Sequence, residues 1–173
     1  MPRLPTLLLT LTGISAGLAP VLSLDSGFYR ICHKPLNGEA LYLTSLYGDY
    51  EEIQMLPLRS ADVTLEQQLW YMNLVDVNAV TLKNVKYNCE VVRGSNAFQN
   101  LVPLCLNGHS STFNLTLIQE KPSVYHIDWT GEEPRRMHYD ELTSPNVTFT
   151  YGEDPTPFIP YTKFIFERVT EEA

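Results

Sequence analysis

Glu66-Gln67-Gln68-Leu69-Trp70-Tyr71-Met72-Asn73-Leu74 is the stretch that decides how this chain is read. It ends one structural unit of the chain. The form returns, weakened, at Thr112-Phe113-Asn114-Leu115-Thr116-Leu117 and at Lys163-Phe164-Ile165-Phe166-Glu167-Arg168-Val169. A second form opens each unit: Tyr29-Arg30-Ile31, Val80-Thr81-Leu82 and Tyr125-His126-Ile127. The opening strands lie 51 and 45 residues apart, and the closing strands, counted from Trp70 to Phe113 to Phe164, lie 43 and 51 apart.

Three divergent strand-like units of this length call for a closed architecture in which each supplies part of one core. The expected fold is all-β, a β-trefoil of three divergent four-stranded repeats. In the first unit, Gly27–Cys32 reads as a strand with Phe28 and Arg30 on one face and Tyr29 and Ile31 on the other. Leu41–Thr44, Ile53–Leu58 and Gln67–Leu74 are its further strands, with a turn at Gly48-Asp49. The second unit runs from Ala79–Lys83 through Glu90–Val92 and Leu101–Leu106 to Phe113–Ile118. The third runs from Val124 through a charged loop, Glu132–Arg136, and a strand, Val147–Tyr151, to Phe164–Val169. Prolines 155, 157 and 160 stiffen the connection before the last strand.

The length, 173 residues, suits one domain. A hydrophobic fraction of 44% and an aromatic fraction of 11% exclude a disordered chain. A net charge of −8 argues against nucleic acid as a partner, because phosphates would be repelled. Residues 1–23 read as a signal peptide: Arg3, an apolar run from Leu7 to Ala19, and small Val21 and Ser23 before the cut. The mature domain is then 24–173, secreted, with no membrane attachment after cleavage. Two sequons agree with export, at Asn114 and Asn146. Cys32, Cys89 and Cys105 allow one disulfide and one free thiol, and Cys89–Cys105 is the preferred pair because it closes one long loop.

Enzymatic chemistry finds no support. His33, His109, His126 and His138 lack metal-ligand spacing, and neither a phosphate-binding loop nor a nucleophile elbow is present. Cys32-His33 are neighbours on a strand and point to opposite faces, a poor dyad. Asp140-Glu141 reads as a solvated acidic loop. No enzyme activity, metal or cofactor is expected, and the role sits on loops of a rigid, monomeric scaffold.

Two resemblances define that role. Gln68-Leu69-Trp70 with Ile53–Leu58 looks like a ricin-B-type lectin repeat, a family whose sites need an aspartate after the second strand and an aromatic platform on the third. Here Tyr42 stands near the aspartate position and Leu56 near the platform. A lectin reading therefore turns to exposed aromatics such as Tyr42, Tyr47 or Tyr151, with glycans as partners.

The chain also resembles the mycocypins of mushrooms, the clitocypins and macrocypins. The likeness rests on Asp25–His33, Asn37–Ala40, Glu66–Trp70, Val80–Lys83, Val124–Ile127 and Phe158–Phe166. It implies a β-trefoil inhibitor of papain-like cysteine proteases, with asparaginyl endopeptidase or trypsin as further targets. The papain-directed loops would be His33–Glu39 and Arg59–Glu66, with Asn37, Gly38, Glu39, Arg59 and Ser60 in contact. Gly38 would let backbone approach the cleft, or serve only an Asn-Gly turn. Asn88 would fill the pocket of an asparaginyl endopeptidase, or be a plain loop asparagine in a left-handed conformation. Lys86 or Lys83 would be the trypsin-directed alternative. The leading expectation is protease inhibition by loop insertion, and the alternative is a ricin-B-like lectin or a secreted effector.

Overall fold

The computed structural model describes residues 24–35, 37–95, 101–131, 135–139, 145–151 and 162–170. The expected leader, Asp140-Glu141, the proline-rich connection and the side chain of Tyr151 lie outside the described residues. The strands are β1 Gly27–His33, β2 Leu41–Thr44, β3 Glu51–Glu52, β4 Gln54–Pro57, β5 Trp70–Asp76, β6 Ala79–Asn84 and β7 Glu90–Ser95. They continue as β8 Leu101–Leu106, β9 Phe113–Glu120, β10 Ser123–Trp129, β11 Arg135–Tyr139, β12 Val147–Tyr151 and β13 Phe164–Arg168. One 3-10 turn, Leu65–Gln68, precedes β5.

Six strands close on themselves. β1 pairs with β5, β5 with β6, β6 with β9, β9 with β10, β10 with β13, and β13 with β1, all antiparallel. Closure leaves the barrel no free edge. Three antiparallel hairpins, β2–β4, β7–β8 and β11–β12, are inserted between successive barrel strands. They meet around Ile53, whose N–H donates to Pro103 O at 3.1 Å and whose carbonyl accepts from Val147 N at 3.0 Å.

The core follows from the alternation. Tyr29 and Ile31, Trp70 and Met72, Val80 and Leu82, Phe113 and Leu115, Tyr125 and Ile127, and Phe164 and Phe166 point inward from the six barrel strands and are buried. Leu43–Met55, Val91–Cys105 and Met137–Phe149 are buried cross-strand pairs, one in each hairpin, and Tyr139–Val147 is a second in β11–β12. Each such pair removes apolar surface from water on both strands at once.

The structure corrects the strand boundaries of the sequence reading. Gln67-Gln68-Leu69 does not belong to a strand. Gln67 Oε1 accepts from Thr64 N at 2.7 Å, which closes the 3-10 turn Leu65–Gln68 and delays the strand to Trp70. Arg135 and Arg136 are not in a loop but open β11, where Asp128 carries the charge of Arg136 at 2.8 Å. Glu51–Glu52, between the expected turn at Gly48-Asp49 and the expected strand Ile53–Leu58, form β3 against β8.

Candidate functional site

Two buried amides tie three loops into one body. Gln67 Nε2 donates to Leu46 O at 2.8 Å and to Tyr87 Oη at 3.0 Å. The Tyr87 hydroxyl in turn donates to Leu46 O. Asn84, fully buried, donates through Nδ2 to Gln67 O at 3.0 Å and accepts from Tyr87 N at 3.2 Å. Segments 45–50, 64–69 and 84–89 are thereby cross-linked by groups whose loss would leave buried acceptors unpaired. Gly48 completes the contact: at φ +87 it lies against the Tyr87 ring, where a Cβ would stand 2.9 Å from Cγ.

What this body displays is aromatic. Tyr47 is 73% and Tyr50 72% exposed, although tyrosine is a residue that burial would reward. Tyr50 is held at φ 65 by its N–H bond to Cys105 O, 2.8 Å, and Asp49 Oδ1 accepts from Asn107 N at 2.8 Å. Among the described residues the non-glycine positions with positive φ are Tyr50, Arg59 and Asn88, and all three sit on segments that run into the same body. Left-handed backbone at a non-glycine residue costs of order 1–3 kcal/mol and persists only where the surroundings enforce it. The Cys89–Cys105 disulfide, with Cα atoms 5.3 Å apart, joins the residue after Asn88 to the residue that anchors Tyr50.

Of the loops proposed for proteases, the one carrying Lys86 and Asn88 belongs to this body, tied in through Asn84. The register Leu41↔Pro57 makes the segments carrying Asn37, Gly38 and Glu39, and Arg59 and Ser60, leave the same end of the β2–β4 pair. Asn37, Gly38, Glu39 and Arg59 are exposed and Ser60 is half-buried. Gly38, at φ +141, occupies a conformation that favours glycine. Lys86 and Asn88 are exposed, and Lys86 Nζ reaches Thr64 Oγ1 at 3.3 Å.

The hairpin positions used by ricin-B-type lectins hold other chemistry. Stepping toward the barrel from the buried hairpin pairs, the next cross-strand pairs are Tyr42–Leu56, Glu90–Leu106 and Arg136–Thr150. None joins an aspartate to an aromatic ring. Tyr42, expected to be an exposed aromatic, is buried, and its hydroxyl donates to Glu167 Oε2 at 3.4 Å. Glu167 is held on its other oxygen by Lys34 Nζ at 2.7 Å. The Trp129 ring is occupied as well. The Arg93 guanidinium lies 4.2 Å from its centroid, and a Cβ on Gly131 would stand 1.6 Å from Cη2.

Cys32 sits behind the Glu167 cluster. Burial, followed by the charge of Glu167, pushes its thiol from the usual 9.0 up to about 12. Burial and then Glu167 raise Tyr42 as well. The folded state therefore binds these protons more tightly than the unfolded chain does. The associated stability is complete below about pH 9 and is lost as pH climbs toward about 12. We expect Cys32 to resist alkylation in the native protein at mildly alkaline pH and to react once unfolded. The urea midpoint should fall above pH 9.0, and Cys32→Ala should shrink that fall. Rapid native alkylation would contradict this.

The histidines are spread through the fold. His33 Nδ1 lies 3.1 Å from Lys163 O, His126 Nε2 3.4 Å from Thr162 Oγ1, and His138 Nε2 2.9 Å from Thr148 Oγ1, while His109 is exposed. Among the described residues no three His, Cys, Asp or Glu side chains are grouped to hold a metal ion.

Neither a family model nor a curated protein sequence matches this chain. Among solved structures it is similar to the Macrolepiota procera ricin B-like lectin in complex with lactose. The TM-score is 0.59 and the identity 14%, over 86% of this chain and 99% of that one. The fold is a β-trefoil. A trefoil lectin and this chain share an architecture at an identity where side chains at the sites need not correspond, in keeping with the exchanged hairpin pairs above.

Sequence reasoning named Tyr47, Asn88, Arg59 and the β1–β2 loop, but missed Tyr50 and the Gln67–Asn84–Tyr87 tie. Gly48-Asp49 between two tyrosines was the available signal for a displayed aromatic turn.

Proposed function

We propose that this chain is a secreted, non-enzymatic glycan-binding protein, built of three divergent repeats, whose ligand stacks on Tyr47 and Tyr50. The observation that carries this reading is the pair of exposed tyrosines on a turn fixed by Gln67, Tyr87 and the Cys105 carbonyl. A sugar ring offers a face of C–H bonds to an aromatic ring and hydroxyls at its edge. Asp49, with one oxygen engaged by Asn107 N, keeps its second oxygen to accept a hydroxyl beside the rings. Because the turn is already ordered, little conformational entropy is lost on binding. The net charge of −8 favours neutral over acidic glycans. The trefoil likeness to a lectin solved with lactose supports the class and makes lactose the first sugar to titrate. Probing an array of neutral glycans tests the reading, and retention of none would sink it.

A second reading, reversible protease inhibition of the mycocypin type, is favoured by one observation. Asn88 is exposed at φ 58 on a loop closed by the Cys89–Cys105 disulfide and bordered by Thr64. A strained, pre-organised asparagine suits the pocket of an asparaginyl endopeptidase. On this reading Asn88→Ala abolishes inhibition of that protease and leaves papain inhibition, carried by Gly38 and Arg59, intact. If the unmodified protein inhibits papain, asparaginyl endopeptidase and trypsin not at all, the second reading is lost.

A further inference from the structure

We propose that Asn114, and not Asn146, is the N-glycosylated residue of this chain, with its first sugar seated in a depression at the β5–β6 turn. The inference rests on the export reading, since the modification requires the secretory pathway. Both residues stand in sequons, Asn114-Leu115-Thr116 and Asn146-Val147-Thr148, and the sequence treats them alike. The structure does not.

On β9 the alternation sends Leu115 into the core and leaves Asn114 and Thr116 together on the outer face, both exposed. The Asn114 amide makes no hydrogen bond among the described residues. It opens onto a depression of about 330 Å³ lined by Asp76, Val77, Asn78, Ala79, Leu115 and Thr116. The floor is firm, because Leu115 N donates to Asn78 O at 2.8 Å. Val77, 69% exposed on the rim, is an apolar surface left uncovered, and a sugar carried by Asn114 would cover it. The polar side chains of the lining, Asp76, Asn78 and Thr116, offer acceptors and donors to its hydroxyls.

Asn146 is engaged. It is half-buried, its Nδ2 donates to Glu52 Oε2, and its backbone bridges Gln54. The next residue, Val147, is fixed to Ile53 O at 3.0 Å where the three hairpins meet. A sugar on Nδ2 would displace Glu52 and push into that junction. The Asn114 depression lies at the far end of β5 from Trp70, whose indole is bonded to Leu43 O of the β2–β4 hairpin, so a glycan there leaves the tyrosine turn clear.

The test is expression of the full chain in a eukaryotic secretory host. Variants Asn114→Gln, Thr116→Ala and Asn146→Gln run alongside, each treated with peptide N-glycosidase and mapped by mass spectrometry. The expected result is one glycan, lost in Asn114→Gln and Thr116→Ala and retained in Asn146→Gln. A glycan on the Asn146 peptide, or a secreted wild-type chain without any glycan, overturns the proposal. A parallel chain with an established secretory leader in place of residues 1–23 separates the two assumptions. Modification at Asn114 in that chain alone supports the site while the native leader fails, and a secreted, unmodified product overturns the site. Glycan binding at the tyrosine turn should be equal in wild type and Asn114→Gln, so failure of the binding proposal reads out separately.

Discussion

Trp70→Ala should destabilise the protein by about 3–5 kcal/mol, the range for truncating a fully buried large aromatic. Trp70 has no exposed surface and heads β5, where the barrel meets the first hairpin. Its indole N–H donates to Leu43 O at 2.8 Å, so it joins the barrel strand to β2 as well as filling the core. Alanine removes both and leaves a cavity that the closed barrel has little freedom to collapse. Thermal unfolding should shift down by roughly 10 °C or more for a domain of this size. Trp70→Phe separates the contributions, because it keeps most of the packing and leaves the Leu43 carbonyl unpaired, at about 1–3 kcal/mol. A Trp70→Ala protein that melts within a degree or two of wild type would show that the barrel is closed by something else.

Gln68→Leu should cost about 2–4 kcal/mol, although the substitution preserves volume and adds apolar surface. Gln68 is fully buried, and its Nε2 donates to Pro57 O at 2.9 Å, Thr44 Oγ1 at 3.1 Å and Leu56 O at 3.3 Å. The two amide hydrogens are shared among these three acceptors, and leucine removes both, while Thr44 keeps its own bond to Tyr42 O at 2.7 Å. Chemical denaturation of Gln68→Leu, Trp70→Phe and the double variant forms a cycle. The two side chains grip the same hairpin, so we expect a non-additive result, with the double variant less destabilised than the sum. Additive losses would mean that each holds the hairpin independently.

These contacts explain why the Gln-x-Trp element was the most legible part of the chain. Its two side chains fasten a barrel strand to the hairpin before it, a task set by the fold and independent of ligand. The other two closing strands carry Phe113 and Phe164 at the corresponding place, rings without a donor, and hold by packing instead. Phe113 lies 6.2 Å from Phe149 in a stacked pair. The barrel strands were legible because each buries alternate residues, as Val80 and Leu82 do. The hairpins were harder. Arg135 and Arg136 read as a loop because charge masks a strand whose partner charge, on Asp128, comes from the strand before. Tyr42 looked available because nothing nearby in sequence shows that Glu167 and Lys34 will close over it.

The loop body was the least legible. Gln67 finds Leu46 across 21 positions and Tyr87 across 20, and no local pattern announces such bonds. Tyr50 carries no signature of its left-handed backbone, which is imposed by the Cys105 carbonyl and by Asp49 holding Asn107. Asn37-Gly38 and Asn88 did announce themselves, because glycine and asparagine are the residues that tolerate positive φ.

The most direct test of glycan recognition by the tyrosine turn is an array of neutral glycans probed with the wild-type protein and with Tyr47→Ala/Tyr50→Ala. Both side chains are solvent-exposed, so the variant should fold and melt as wild type does. Wild type is expected to retain a defined set of glycans and the double variant to lose them, with affinity down at least tenfold, about 1.4 kcal/mol. Unchanged glycan binding by a folded double variant would contradict the claim and move the search to another face of the trefoil.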